Sequence, residues 1–470
     1  MRVFWHREDL RATDNRGLMQ AAQDAAEADE HLLPVFIFDS LTTDHDGNPR
    51  MQYLLDSLAE LRQWYRNHGG DIYVTVGNAV DTFEQLLTTY DISGVYWNRL
   101  YNKEARARDE QVTETIKAAQ IDVETVRDEL FFEPGDITTN KGEPYSVYTY
   151  FWKKWRDRPK ETRVAHPPAP VLAKEEGETI PSMEDIGFSP PQADIQPAGM
   201  DAATERLETF CDDGIFRYES DRDYPTREGV SRLSADLSAG TIGVRTVHDA
   251  TVEAKERASE EETDSVEEYQ SQLAWREFYT HVLYFNPDVE TENYKSYENP
   301  INWRDNPEEL AAWKQGKTGY PIVDAGMRQL LEEAYMHNRM RMIVASFLTK
   351  DLQIDWREGY AHFRKYLADH NIANNNGGWQ WAASTGTDSQ PYFRIFNPMT
   401  QGERYDPDAK YIKQYVPELE GVSPDIIHSW HECSLSERAR CAPDYPAPIV
   451  DHSHRREATL DMFQSARGDD

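Results

Sequence analysis

Residues Leu32 to Asp39 read "LLPVFIFD", an uninterrupted apolar run of strand length closed by an aspartate. Runs of the same kind recur along the first part of the chain: "RVFWH" (Arg2 to His6), "DIYVTVG" (Asp71 to Gly77), "GVYWNRLY" (Gly94 to Tyr101) and "DVETVRDELFF" (Asp122 to Phe132). Between them "RGLMQAAQDAAEADE", "MQYLLDSLAELRQWYRNHG", "AVDTFEQLLTTY" and "KEARARDEQVTETIKAAQ" carry apolar residues at helical spacing. Strand, helix and strand in alternation predict a parallel five-stranded sheet with covering helices, a Rossmann-like α/β domain over residues 1–132. No G-x-G-x-x-G follows the first strand, and no G-x-x-x-x-G-K-[ST] occurs anywhere. The usual glycine cradles for phosphate are therefore absent.

From Arg158 to Ala203 prolines cluster with charge, which predicts an extended connection, and the linker is taken as residues 133–203. Beyond it the strand signals stop. "VEEYQSQLAWREFYTHVLYF", "YPIVDAGMRQLLEEAYMHNRMRMIVASFLTKDLQID" and "REGYAHFRKYLADHN" are helical in pattern, so residues 204–470 are expected to form a larger all-α domain.

The chain of 470 residues carries 84 acidic against 50 basic side chains, a formal charge of −34. Aromatic residues are plentiful, which excludes disorder over most of the length. The acidity is spread over helices and loops alike, as in a salt-adapted cytoplasm, and excludes nonspecific coating of nucleic acid. In strong salt, counterion release adds little affinity, so DNA binding would rest on desolvated, specific contacts. Cys211, Cys433 and Cys441 form neither a disulfide framework nor a zinc site, and no run is long and apolar enough to span a bilayer. A cytoplasmic protein is expected.

In "HNRMRMIVASFLTKDL", Arg341 shares a helical stripe with Ala345, Leu348 and Leu352. A charge on a buried stripe needs a partner, since breaking such a pair costs about 3–5 kcal/mol, and Asp369 is one candidate. A guanidinium snorkelling to water is the rival reading. In "GVSRLSADL", Ser231 and Ser234 read as capping residues whose hydroxyls and nearby N–H groups could also hold a phosphate. Trp275, Trp303, Trp356, Trp379 and Trp381 all lie in the helical half, where packing, stacking on bases and electron relay are all open readings. No hydrolytic triad, metal-ligand helix or paired-carboxylate pattern stands out. Chemistry here belongs to a bound cofactor.

At these segments the chain resembles the photolyase/cryptochrome family. "FWHREDLRATDN" (Phe4 to Asn15), "GEPYSVYTYFWKKW" (Gly142 to Trp155), "SRLSADLSAGTIGVR", "QLAWREFY", "WKQGKTGYPIVDAGMRQL", "MHNRMRMIVASFLTKDLQIDWREG" and "NNGGWQWAASTGTDSQPYFRIFNP" follow in the family's order. The resemblance implies FAD in the helical domain, an antenna pigment against the α/β domain, and light-driven splitting of cyclobutane pyrimidine dimers in UV-damaged DNA. In that scheme reduced flavin lends an electron to a dimer flipped out of the duplex and recovers it afterwards. A blue-light photoreceptor without repair is the alternative. The "WQW" segment and "NRMRM" resemble class I enzymes. The (6-4) branch carries histidines where this chain has Asn338 and Met342.

Carried over by position, Val230, Ser231, Arg232, Leu233 and Ser234 are expected at the FAD phosphates, with Tyr218, Tyr269, Gln272, Arg276, Asn338 and Asn371 also around the cofactor. Arg341 and Asp369 match an ion pair beside the isoalloxazine. Asn375 matches the residue facing flavin N5, and an amide there favours repair. Trp379, Trp356 and Trp303 match a relay of electrons to oxidised flavin. Trp275 and Trp381 match the indoles that flank the dimer; Gln272, Asn338, Arg339 and Met342 line the same cavity, and Arg222 and Arg394 resemble phosphate contacts. Gln272 stands where a glutamate is common, Asn371 where an aspartate is, and Val230 where a threonine is. No metal is implied, and a monomer is expected. The antenna pocket is expected near Asn98 to Asp109 and "WHREDLR". There, if the acidic composition marks a haloarchaeal source, 8-hydroxy-deazaflavin is favoured over methenyltetrahydrofolate, since such a cell would make it.

Overall fold

The computed structural model describes residues 1–39, 47–168 and 171–468. Its N-terminal part runs β1 (Arg2–His6), α1 (Arg16–Glu27), β2 (Leu32–Phe38), α2 (Asn48–Asn67), β3 (Tyr73–Val76), α3 (Ala79–Thr89), β4 (Gly94–Asn98), α4 (Lys103–Ala118) and β5 (Asp122–Val126). All strands are parallel, in the order β3-β2-β1-β4-β5. Because side chains alternate along a strand, Val3 and Trp5 point to one face with Phe83, Leu86, Val112 and Ile116 of α3 and α4. Phe4 points to the other, against Leu18 of α1 and Leu54 and Leu58 of α2. Both faces of the sheet are thus buried, which explains why "LLPVFIF" lacks polar alternation. The "DELFF" end of the last predicted strand lies beyond β5, which stops at Val126. The order of strands across the sheet switches between β1 and β4, and the crevice beyond their C-terminal ends is where such sheets bind ligands.

The expected linker is only partly a linker. Helix α5 (Tyr148–Asp157) falls within it and buries Phe151 and Trp155 in a helical-domain core with Phe278. Ile137 joins the same helical core, whereas Val171, Leu172 and Met183 pack on the α/β domain, with a short parallel bridge of Leu172 beside Leu32; Ala169 and Pro170 lie outside the described residues.

The helical part includes α6 (Met200–Asp212), α7 (Ser234–Ala239), α8 (Val244–Arg257), α9 (Glu260–Phe285), α10 (Pro321–Glu333), α11 (Asn338–Ser346), α12 (Trp356–Tyr366), α13 (Ile372–Ala383) and α14 (His452–Arg467). The long "NRMRMIVASFLTKDL" helix is broken: α11 passes at Phe347 into a π-helical turn, Phe347–Asp351. Two hydrophobic cores result. One is built around α9 with α5, α6 and α8, the other around α10 to α13 with the C-terminal residues. Among those last residues Trp430, Tyr445 and Phe463 are all buried. Helix α14 is pinned where Phe463 lies beneath the buried Lys350 Nζ, 3.9 Å from the ring centroid.

The α/β and helical parts meet through charge. Arg245, 1% exposed at the start of α8, holds Asp14 at 2.7 Å and Asp128 at 2.5 Å, and Arg11 pairs with the same Asp128. Removing one member of such a buried set costs about 3–5 kcal/mol. Gly240 ends α7 at φ 71°, and a side chain there would meet the Glu8 carbonyl at 2.2 Å. Only glycine lets the two backbones approach so closely.

Candidate functional site

A cavity of about 510 Å³ opens between the two helical cores. On one side lies the turn into α7. Arg232 sits in the left-handed region at φ 54°, and the Ser231 hydroxyl accepts from the Leu233 N–H at 3.4 Å and from the Tyr269 hydroxyl at 3.0 Å. The helix cap is Leu233, without a side-chain bond, and Ser234 is the first helical residue. The capping reading of the two serines is thereby corrected: neither caps α7. Asp236 anchors the short helix by accepting from the Tyr53 hydroxyl at 2.6 Å and pairing with Arg206 at 2.7 Å.

On the same lining Arg341 pairs with Asp369 at 2.6 Å, and its Nε donates to the Met336 carbonyl at 2.8 Å. Ala345, Leu348 and Leu352 on the same stripe are buried, so the partner demanded by the apolar stripe exists. Asp369 is 3% exposed, and its second oxygen, Oδ1, is buried without a partner. Asn375 Nδ2 lies 3.1 Å from His370 Nδ1 and 3.4 Å from the Tyr360 carbonyl. Burial holds the His370 imidazole well below its ordinary pKa, so the neutral ring accepts that bond and the Asn375 oxygen remains for a donor in the cavity. Asn371 caps α13 by accepting from the Asn374 N–H at 3.1 Å, a task that asparagine and aspartate perform equally well.

The "GGWQW" segment lies within helix α13. Gly377 leaves room for the Tyr279 ring, which a side chain would meet at 2.3 Å. Gly378 lines the cavity, and a side chain there would meet nothing within 4 Å. Trp379 is 2% exposed, with Phe363 at 4.9 Å and Trp313 at 5.9 Å between ring centroids. Trp356 is buried and its indole N–H donates to Asn293 at 2.9 Å, while half-buried Trp303 packs edge-on against Phe463. The ring contacts of these three tryptophans are therefore to other residues and not to one another. Trp275 and Trp381 both line the cavity. One face of Trp275 is covered by Tyr148, stacked at 3.7 Å.

Tyr218, Val230, Gln272, Arg276, Asn338 and Met342 also line it. Arg276 is tied across the domain boundary to Glu129, both through the carbonyl and through the carboxylate at 2.9 Å. Arg222 lines the cavity in an ion pair with Glu268; Arg339, expected in the lining, lies outside it in a pair with Asp223, and Arg394 lies outside it too, on an exposed loop beside Phe393. Tyr148, Tyr279, Trp313 and Gly359 were missed as site residues. Only the stacking aromatics in "SVYTYFW" and "REFYTH" left a trace in the sequence, and that trace does not separate stacking from core. Among the described residues no group of three or more His, Cys, Asp or Glu side chains is placed to hold a metal ion. No helix among them is long and apolar enough to cross a membrane.

A second cleft of about 100 Å³ lies where the strand order switches, lined by Arg7, Glu8, Tyr101, Asn102, Arg108 and, from the helical part, His370 and Asn371. It coincides with the segments expected to hold an antenna. His370 and Asn371 face both cavities, so the partition between them is one residue thick there.

Residues 2–171 match the family described as "DNA photolyase", and residues 269–465 match "FAD binding domain of DNA photolyase". The chain is 53% identical to the deoxyribodipyrimidine photo-lyase of Halobacterium salinarum over the full length of both. It is 36% identical to that of Escherichia coli, covering 99% of this chain and 98% of the relative. Among solved structures, a class III photolyase from Agrobacterium tumefaciens superposes with a TM-score of 0.90 at 33% identity, over 99% of this chain and 98% of that one. The archaeal photolyase of Sulfolobus tokodaii, solved with two FAD molecules, gives 0.83 at 30% identity over 99% of each chain. With fold, cavity and relatives in agreement along the whole length, the chain belongs to the photolyase/cryptochrome family.

Proposed function

We propose that this protein splits cyclobutane pyrimidine dimers in DNA using light and FAD. One observation carries the reading: a single cavity is lined by an ion pair, by an amide with a free oxygen and by two indoles, Trp275 and Trp381. The full-length relatives named deoxyribodipyrimidine photo-lyase support it.

The cavity's polar groups fit FAD. The orphaned Asp369 oxygen calls for a donor, the Asn375 oxygen for another, and Gly378 leaves a cradle that a methyl group would fill. The turn at Ser231, Arg232, Leu233 and Ser234 would hold the phosphates, with Val230, Tyr218, Tyr269, Arg276 and Asn371 around them. When bound, reduced FAD supplies on illumination the electron that opens the cyclobutane ring and takes it back afterwards. Arg341, fixed by Asp369, keeps a positive charge at the wall where negative charge is favoured. Asn375 offers an acceptor and no transferable proton. Trp379, in the cavity lining, with Trp356 and the half-buried Trp303, would return reducing equivalents to the cofactor. Trp275 and Trp381 would sandwich the extruded dimer, stacking contributing about 1–3 kcal/mol per base. Gln272, Asn338 and Met342 would line its pocket, with Arg222, Arg339 and Arg394 near the flanking phosphates.

The cleft at the switch in strand order would take the antenna, and 8-hydroxy-deazaflavin is our choice. Mass spectrometry of pigment released from purified protein tests it; a folate or a second FAD would refute it. The repair reading is tested by illuminating reduced protein with a dimer-containing oligonucleotide. Light-dependent loss of dimers is expected, and its absence would leave a photoreceptor as the better reading.

A further inference from the structure

Two of the cations expected at the DNA backbone, Arg222 and Arg339, are already matched. Arg222 pairs with Glu268 and meets the Gln272 oxygen at 3.3 Å. Arg339 pairs with Asp223 at 2.6 Å. Each guanidinium lies over a ring, Tyr218 at 5.2 Å and Tyr405 at 4.4 Å, which holds the cation in place whichever anion it meets. In both pairs the carboxylate is the outer partner: Glu268 and Asp223 are 38% and 36% exposed, against 22% and 15% for their arginines. Glu268 also accepts from the Gln272 amide at 3.0 Å, so a group on the cavity wall is tied to the latch. Glu219 and Asp223 add negative charge towards Glu268, and Arg222 opposes them.

Resting on the repair reading above, we propose that Glu268 and Asp223 are counter-charges that the DNA backbone must displace. Docking of the damaged strand exchanges arginine–carboxylate pairs for arginine–phosphate pairs at Arg222 and Arg339, and releases the Gln272 amide toward the lesion. An exchange has a different salt signature from an addition. Salt screens the internal pairs as well as the DNA contacts, so affinity falls less with salt than the number of cations implies. It also sharpens selectivity. Undamaged DNA offers only phosphates and gains little from the exchange, whereas a dimer adds stacking within the cavity.

The test uses flavin-loaded protein in the dark, titrated with undamaged and dimer-containing oligonucleotides across a potassium chloride series from dilute buffer to molar concentrations. E268Q and D223N are each expected to bind undamaged DNA about 2- to 5-fold more tightly in dilute salt, the range of an exposed ion pair. Each should steepen the slope of log affinity against log salt by up to about 0.9. E268D and D223E, which keep the charge, should retain the wild-type slope. Wild-type slopes and affinities in both E268Q and D223N would overturn the proposal. The undamaged-DNA comparison involves no photochemistry. If illuminated wild-type protein fails to repair while the slopes still differ, the repair reading falls and the latch stands; repair with identical slopes removes the latch alone.

Discussion

Gly359 and Gly378 lie inside α12 and α13, where replacing glycine by alanine ordinarily stabilises a helix by about 0.5–1 kcal/mol. The structure gives the two positions opposite outcomes. At Gly359 a methyl carbon would stand 2.0 Å from Trp379 Cη2 and 2.3 Å from Cζ3. Carbon atoms pack at about 3.5 Å, so the indole or its helix must recede by about 1.5 Å. Trp379 is 2% exposed and has nowhere to go without disturbing Phe363 and Trp313. Overpacking of this kind costs about 1–3 kcal/mol, so G359A is expected to be less stable than wild type by about 1–2 kcal/mol once the helix gain is subtracted. G378A meets nothing within 4 Å and should stabilise the flavin-free protein by the ordinary amount, yet place a methyl in the cavity and weaken flavin retention. Urea unfolding of the flavin-free proteins reads the first effect, and flavin absorbance after gel filtration reads the second. A G359A protein as stable as wild type would refute the packing argument at Trp379. Full flavin retention by G378A would refute the placement of the cofactor against α13.

Three further outcomes are expected. W379F should repair normally when chemically reduced beforehand but lose light-driven reduction from the oxidised state; equal loss in both assays would make Trp379 structural. W381A should weaken binding of dimer-containing DNA by about 1–3 kcal/mol, and unchanged affinity would contradict stacking. His248, packed against Phe131 and Trp155, is held down to about 4 by burial and secondarily by the Lys160 charge. Its folded pKa lies below the unfolded value of about 6.5, so its contribution is complete above that pH and is lost as pH falls toward 4. H248F should flatten the stability-versus-pH curve in that window by up to about 1.4 kcal/mol per pH unit, and an unchanged slope in urea titrations would contradict the assignment.

The sheet was legible because a strand buried on both faces cannot hide its apolar run, as "LLPVFIF" shows. Arg341 was legible in part for a similar reason: an unpaired charge on an apolar stripe is costly, so the stripe asked for a carboxylate or a route to water, and the family resemblance singled out Asp369. What escaped depends on contacts between elements distant in sequence. Nothing in "AAWKQG" says that Trp313 meets Trp379, and nothing in "WREGY" says that Gly359 is the notch for that indole. Ser231 and Ser234 misled because the hydroxyl pattern of a cap also serves a tight turn, and Arg232 in the left-handed region moves the cap to Leu233. Glu268 and Gln272, one helical turn apart, were in plain view; their link to Arg222 depends on the separate segment that carries it.

The cavity lies between two hydrophobic cores rather than within one. A cofactor seated there would act as mortar between two blocks of the helical part, contributing RT ln(1 + [L]/Kd), about 2.7 kcal/mol at a hundredfold excess over Kd. Without it, each block keeps its own interior while the seam between them faces water. Cells short of flavin would then lose this protein to proteolysis along the seam before losing it to global unfolding, so its abundance would follow flavin supply as closely as its activity follows light.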